Sequence, residues 1–319
     1  MVSRITRLLL LLQFFSGLAL SLLARQLWKP PIWAALAFGF GLVLLVRLLI
    51  NANNFFIAWR YRSDTPASLW LGWRPALRMF ISEFSASMSS SSWTMPFHSF
   101  TVRPATNPVG LPVLLIHGYG CNSGYWHALS KRLLRERITH HAVDLDPMFA
   151  AIDDYVPTVH KAVEALCTTT GHQKIVIVAH SMGGLVARAY LREHGNGRVA
   201  SVITLGTPHR GTGLANFGKG QNSIQMRWTG SAADGVPSEW LRALERTEND
   251  TVRALFTSIY SHHDNIISPQ TSSHLAGAAN IEFRGVGHVA LGFDPAVQAK
   301  VIELVHGISP ASQPRSPTH

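Results

Sequence analysis

A serine hydroxyl becomes a useful nucleophile when the chain holds it outward on a tight turn beside a base. One segment of this sequence has that layout. Val176-Ile177-Val178-Ala179 is an apolar, β-rich run that stops at His180-Ser181-Met182-Gly183-Gly184. It changes at once to the helical pattern Leu185-Val186-Ala187-Arg188-Ala189-Tyr190. Ser181 therefore falls on a sharp strand-to-helix turn, where the flanking residues must be small because the turn crowds its own neighbours. Ala179 and Gly183 fill those places. An ordinary turn serine is the competing reading. What separates the two is whether the rest of the chain supplies a histidine, an acid and two backbone donors for a developing oxyanion.

His288 is the candidate base. It lies in Arg284-Gly285-Val286-Gly287-His288-Val289-Ala290, just after the last predicted strand, where glycines let a loop swing the imidazole toward Ser181. Asp264, in Tyr260-Ser261-His262-His263-Asp264-Asn265-Ile266-Ile267, is the candidate acid. It would fix the tautomer of His288 and stabilise the imidazolium. All three residues fall at the C-terminal ends of predicted strands, where open α/β sheets build their sites. For the oxyanion, Met182 follows the serine and would give one N–H. Tyr119, in Leu115-Ile116-His117-Gly118-Tyr119-Gly120, would give the other. One such donor is worth about 3 kcal/mol in the transition state.

Other residues compete for these roles. Asp234 and Asp250 are alternative acids but fall in a long excursion between strands. His262 and His263 precede the acid, on the wrong element for the base. His117, His180 and His209 read as structural supports. Metal binding by His262, His263 and Asp264 is disfavoured, because adjacent residues at a strand end point to opposite sides. No cofactor or metal is implied.

These residues need a scaffold, and the pattern from Leu111 onward provides one. Short apolar runs alternate with amphipathic ones, which predicts an α/β fold with a mainly parallel sheet. Strands are expected at 112–117, 139–144, 174–179, 199–205, 254–260 and 280–284. Helices are expected at 125–137, 155–169, 182–194 and 295–305. Gly206 to Asp250 is long, Gly-rich and weakly periodic, the place for a lid. The Ser/Pro-rich end, 309–319, reads as a disordered tail.

The N-terminal third is of a different kind. The 319-residue chain carries a net charge of +10. Residues 1–107 hold ten Lys/Arg against only Asp64 and Glu83, so most of that excess is theirs. Leu8–Ala24 and Ile32–Val46 are apolar runs joined by Lys29-Pro30-Pro31, with Trp28 and Trp33 at the turn. A two-helix membrane anchor over 1–50 is the favoured reading, with the arginines as membrane-flanking charge and no sign of nucleic-acid binding. A secretory signal peptide over residues 1–25 competes, but no small-x-small cleavage site is evident and a second apolar run follows. The arginines after the second run favour the cytoplasmic side of the membrane for the rest of the chain; a periplasmic or secreted protein is the alternative. Residues 51–110 interleave aromatics with arginines, with a helix over Leu77–Phe84 and a serine-rich loop over Ser85–Ser92. They read as an amphipathic or linker region, either lying in the interface or bracing the domain at 111–308. Cys121 and Cys167 make no disulfide framework.

Together these residues resemble the bacterial lipase and esterase branch of the α/β-hydrolase superfamily. The resemblance runs through His117-Gly118, Ala179-His180-Ser181-Met182-Gly183-Gly184, Leu205-Gly206-Thr207-Pro208-His209-Arg210-Gly211-Thr212, Asp264, and Gly285-Val286-Gly287-His288. The alanine-first elbow is similar to that of small triacylglycerol lipases. It implies an α/β-hydrolase fold over about residues 111–306 and a lipid or acyl-ester substrate cleaved through an acyl-enzyme. An acyltransferase or thioesterase with the same residues, and a membrane scaffold with a degenerate domain, are the alternatives.

Overall fold

The structure is a computed structural model that describes residues 1–308; the expected tail at 309–319 lies outside the described residues. Two long helices lead the chain, α1 (Val2–Trp28) and α2 (Ile32–Arg60). Lys29 takes the left-handed conformation that ends α1, and the Pro30-Pro31 pair forces the chain to turn before α2 begins. The helices cross closely at two glycines: a Cβ on Gly39 would lie 2.3 Å from the Gly17 carbonyl oxygen. Their outer faces expose Leu8, Leu12, Phe15, Leu22, Trp33 and Leu49. Both helices are long and apolar enough to cross a membrane.

α2 continues ten residues past the boundary read at residue 50. Asn51 and Ala58 are buried, so its last turns pack on protein. The serine-rich stretch is also not the expected loop. Helix α3 (Trp73–Ser89) passes into a π-helical turn (Ser90–Thr94) and the short α4 (Met95–Phe97). Its serines find partners that keep the stretch wound. The Ser91 hydroxyl donates to the Ser87 carbonyl at 2.6 Å, the back-bond that lets serine sit inside a helix. Arg47 reaches from α2 to the hydroxyls of Ser91 and, at 2.7 Å, Ser92, and to Gln13 of α1 at 3.1 Å.

The remainder alternates strand and helix: β1 (Val102–Arg103), β2 (Val113–Ile116), α5 (His127–Arg135), β3 (His140–Val143), α6 (Val156–Thr170), β4 (Ile175–His180), α7 (Met182–His194) and β5 (Val199–Leu205). The long excursion then holds α8 (Gln221–Gln225), the ribbon β6 (Trp228–Thr229) and β7 (Val236–Pro237), α9 (Glu239–Thr247) and α10 (Asp250–Arg253). β8 (Phe256–Ser261), β9 (Ala279–Phe283) and α11 (Pro295–Gly307) finish the fold.

The sheet order is β1-β3-β2-β4-β5-β8-β9, and every pairing but that of β1 is parallel. Both faces are covered, as a parallel sheet requires. Leu114, Ile116, Ile177 and Ala179 pack with Val159, Val163 and Leu185 of α6 and α7. Val113, Leu115, Val176 and Val178 pack with Leu129, Leu133, Val297 and Val301 of α5 and α11. The fold is that of an α/β hydrolase.

Two attachments fix what surrounds the sheet's C-terminal edge. Arg188 of α7, fully buried, makes a bidentate ion pair with Glu248 at 2.6 and 2.7 Å and donates to the His209 carbonyl at 2.9 Å. These bonds pin both ends of the 206–250 excursion. The N-terminal helices are tied in just as firmly. Arg7 donates to the Pro96 carbonyl at 2.8 Å, and Asn122 bonds both Ser3 and the Met95 carbonyl. At the far end of α2, Ser268 donates to the Ala58 carbonyl at 2.6 Å.

Candidate active site

Ser181 stands between β4 and α7 with φ 53° and ψ −127°. This is left-handed backbone that a serine adopts only under constraint. Three contacts supply the constraint. The Ser181 N–H donates to the Leu205 carbonyl at 2.9 Å, and its carbonyl accepts from the Thr207 hydroxyl at 2.9 Å. Gly183 completes the set: a Cβ there would lie 2.4 Å from the Ile116 carbonyl oxygen. Glycine is thus required because β2 runs against the first turn of α7.

His288 and Asp264 come together as the sequence spacing predicts. Nδ1 of His288 lies 2.8 Å from Oδ2 of Asp264, and both residues are buried. The other carboxylate oxygen of Asp264 accepts the N–H groups of Ile266 (2.8 Å) and Ile267 (2.7 Å), which orients the side chain. Burial alone would push the His288 pKa down. The Asp264 carboxylate, by charge and hydrogen bond, and Glu83 more distantly, outweigh it, so the net shift is upward. Ser181 and His288 line one cavity of about 240 Å³. No hydrogen bond joins them among the described residues.

The two expected oxyanion donors, Met182 and Tyr119, lie on the segments next to Ser181. Met182 opens α7, where the first N–H groups have no intrahelical acceptor. Tyr119 follows Gly118, whose added Cβ would lie 2.8 Å from the Ser181 Cβ, so this loop passes directly over the Ser181 turn. His117 shapes the loop: Nδ1 sits 2.9 Å from the Gly118 carbonyl oxygen, and Nε2 accepts from the Leu145 N–H at 3.0 Å.

The backbone around His288 is saturated by side chains from four elements. Asn265 accepts from the His288 N–H at 2.9 Å, and His180 Nε2 lies 3.1 Å from the His288 carbonyl oxygen. The Tyr125 hydroxyl donates to the Val289 carbonyl at 3.1 Å. Glu83, from α3, accepts from Val289 and Ala290. Sequence reasoning identified His180 as a support and missed Tyr125, Asn265 and Glu83. For Glu83 a signal existed, since it is the lone acid between Asp64 and Glu136.

The lining of the cavity comes from elsewhere than the long excursion. No residue of 206–250 lines it. Ser87, Ser90, Ser91 and Met95 of the α3–α4 segment do, opposite Tyr119, Cys121 and Ile266. The reason lies in the attachments described above: the excursion is clamped to α7 by Arg188, while the α3–α4 segment is fastened beside Ser181 by Arg47 and Asn122. Cys121 is a free thiol, and burial pushes its pKa up to about 12. His262 and His263 are otherwise engaged. His262 sits 2.7 Å from Glu282, and His263 accepts from the Gly285 N–H.

Comparison with known proteins agrees with this architecture. The family model for the alpha/beta hydrolase fold matches residues 112–221, from the start of β2 to α8. Over 55 residues the chain is 44% identical to a triacylglycerol lipase of Pseudarthrobacter phenanthrenivorans and to one of Burkholderia plantarii. Each match takes in 17% of this chain, and the chain spans only 17% and 15% of those relatives' own lengths. Among solved structures, the mature form of the Bacillus licheniformis lipase BlEst2 has a TM-score of 0.56 at 17% identity, covering 65% of this chain and 97% of that one. Aspergillus fumigatus lipase B has a TM-score of 0.55 at 16% identity, covering 68% and 58%. At such identities the two structures speak to the fold alone. The chain has the α/β-hydrolase fold, and its likeness is to lipases and esterases.

Proposed function

We propose that this chain is a membrane-anchored serine ester hydrolase acting on lipid or long-chain acyl esters. The observation that carries the reading is Ser181, held in strained backbone and facing the same apolar cavity as a histidine braced by a buried aspartate. In this reading Ser181 Oγ attacks the acyl carbonyl while His288 Nε2 takes its proton. The N–H groups of Tyr119 and Met182 receive the oxyanion. The ester C–O bond breaks as His288 returns the proton to the leaving alcohol. Water, deprotonated by His288, then cleaves the acyl-enzyme to the free acid. Asp264 steadies the imidazolium throughout. The hydrogen bond between Ser181 and His288 closes when substrate enters, as such bonds commonly do.

The membrane part of the reading rests on the two exposed apolar helices and on how they are joined. A cleaved signal would be a passenger, whereas Ser3 and Arg7 of α1 bond residues beside the cavity wall, which favours a retained anchor. The arginines after α2 favour the cytoplasmic face for the hydrolase domain. One observation supports acyl transfer as a second reading: Ser181 is only 7% exposed, so an alcohol or thiol seated in the cavity could outcompete water.

The test is hydrolysis of p-nitrophenyl esters of graded chain length by the full chain and by its Ser181→Ala variant. Loss of turnover in the variant is expected, together with loss of fluorophosphonate labelling. Equal hydrolysis by both proteins would sink the proposal. Adding an acceptor alcohol and measuring the product ester separates transfer from hydrolysis.

A further inference from the structure

The cluster that stands out beyond the proposed triad is an acid from the other end of the chain. Glu83 lies on α3, twenty-nine residues before the segment matched by the hydrolase family begins. Its side chain is 1% exposed, and such a carboxylate is seldom buried without a task. Oε1 accepts from the Val289 N–H at 3.0 Å and Oε2 from the Ala290 N–H at 2.8 Å. Those are the first two residues of the 3-10 turn that follows His288. Gly287, on the other side of His288, leaves the room: a Cβ there would sit 2.5 Å from Oε2.

We infer that Glu83 is a positioning residue for His288, a second carboxylate that holds the histidine loop and faces its imidazolium. The rest of the chemistry on the page is consistent with this. An unpaired acid at this depth is costly, and two charge-assisted backbone bonds compensate for it. Both carboxylate oxygens point at the loop, so the loop cannot shift without breaking both bonds. Burial raises the Glu83 pKa, while the two backbone bonds and His288 pull it back down and Asp264 pushes it up. The groups around the pair are His288 and Asp264 on the hydrolase side, His180 on β4, and the Tyr125 hydroxyl and Cys121 thiol beside the cavity. Of these, only Asp264 and Glu83 are carboxylates. In consequence the hydrolase domain does not hold a complete site by itself, and α3 supplies a part of it.

The inference rests on the proposed role of His288, so its test keeps the two separable. Fluorophosphonate labelling of the full chain in detergent, lost in Ser181→Ala, establishes the nucleophile independently. Glu83→Gln preserves the shape but removes the charge and one acceptor. Its kcat on a p-nitrophenyl ester is expected to fall about 10- to 100-fold with KM little changed, the scale of a small misplacement of a reacting group. The acid limb of its kcat/KM profile is expected to move to lower pH, because the imidazolium loses a nearby anion. A fall in kcat with the acid limb unmoved would mark a packing role and overturn the inference, as would full activity. Gly287→Ala covers the case in which the first variant does not fold. It pushes the carboxylate off the loop with its charge intact, and the same loss of kcat is expected; unchanged turnover there also overturns the inference.

Discussion

Asp264→Asn is the substitution whose consequence the structure specifies most closely. Asn has the shape of Asp, so the decisive matter is which of its two terminal atoms faces which neighbour. Oδ1 of Asp264 accepts two backbone N–H groups, from Ile266 and Ile267. An amide nitrogen cannot accept them, so the carbonyl oxygen of Asn must take that side. The amide NH₂ is then left 2.8 Å from His288 Nδ1, where the carboxylate stood. Nδ1 must become the acceptor, which moves the ring proton to Nε2 and turns the would-be base into a donor facing Ser181. A histidine held in the wrong tautomer in this way costs about 10⁴ in kcat, or roughly 5.5 kcal/mol of transition-state stabilisation. Both backbone bonds survive, so the fold should lose no more than about 1–2 kcal/mol. The assay is steady-state hydrolysis of p-nitrophenyl butyrate alongside a thermal melt. Turnover within tenfold of the unsubstituted protein, in a variant that melts normally, would refute both the tautomer argument and the role given to Asp264.

Further outcomes follow from the same geometry. The acid limb of kcat/KM is expected above the ordinary histidine range, because the Asp264 and Glu83 carboxylates outweigh the effect of burial on His288; a limb below that range would contradict the pairing. Stability should decline as pH falls below about 6.5. His117, His140, His180 and His209 are kept neutral by burial, so the unfolded chain binds protons there that the folded chain does not. Each contributes up to ~1.4 kcal/mol per pH unit, and for His140 the decline runs down to about 4. His288 acts with the opposite sign, and a melting temperature constant from pH 7 to 5 would count against the balance. Met95→Ala enlarges the cavity wall, and the preferred ester should move to a longer acyl chain; an unchanged chain-length profile would remove Met95 from the substrate path. Arg47→Leu leaves Ser91, Ser92 and Gln13 without their shared donor, so amide exchange across residues 87–95 should rise and KM with it. Unaltered exchange would mean that the π-helical turn holds its position without α2.

The sheet and the sharp turn at Ser181 were legible in the sequence because their signals are local. Val176 to Tyr190 carries an apolar run, a small-residue turn and a helical period within fifteen residues, and the structure places β4, Ser181 and α7 there. Each of the six expected strands overlaps an observed one. The edge strand β1 escaped notice because two exposed residues carry no period. The wall of the cavity was not legible for a different reason. A serine run has low helix propensity and reads as a loop. Ser85–Ser92 is helical because the Ser91 hydroxyl bonds back to the Ser87 carbonyl and because Arg47, some forty residues earlier, meets it in space. How the Gly206–Asp250 excursion, read as a possible lid, is held in place was not legible on similar grounds. Its length suggested one, but nothing local to the segment announces the Arg188–Glu248 clamp, which joins residues sixty positions apart.

The same long-range contacts bear on where an ester would meet Ser181. Arg47 and Gln13 are hydrogen-bonded, and both stand about sixteen residues from the turn at Lys29-Pro30-Pro31. At 1.5 Å per residue the hairpin beyond them is roughly 24 Å long, close to but short of the ~30 Å of a bilayer's hydrocarbon core. In the proposed reading, a charged cluster at that depth would mark the level at which an inserted hairpin stops, since a guanidinium and three polar partners belong at the interface. Ser91, one of those partners, is itself part of the cavity wall. Trp93 and Phe97, exposed on the same segment, would then lie at the membrane surface. In the proposed reading the helices therefore do more than tether a hydrolase near lipid. They set the height of the wall over Ser181 relative to the bilayer, so that an acyl chain need leave the membrane by only a short distance to reach it.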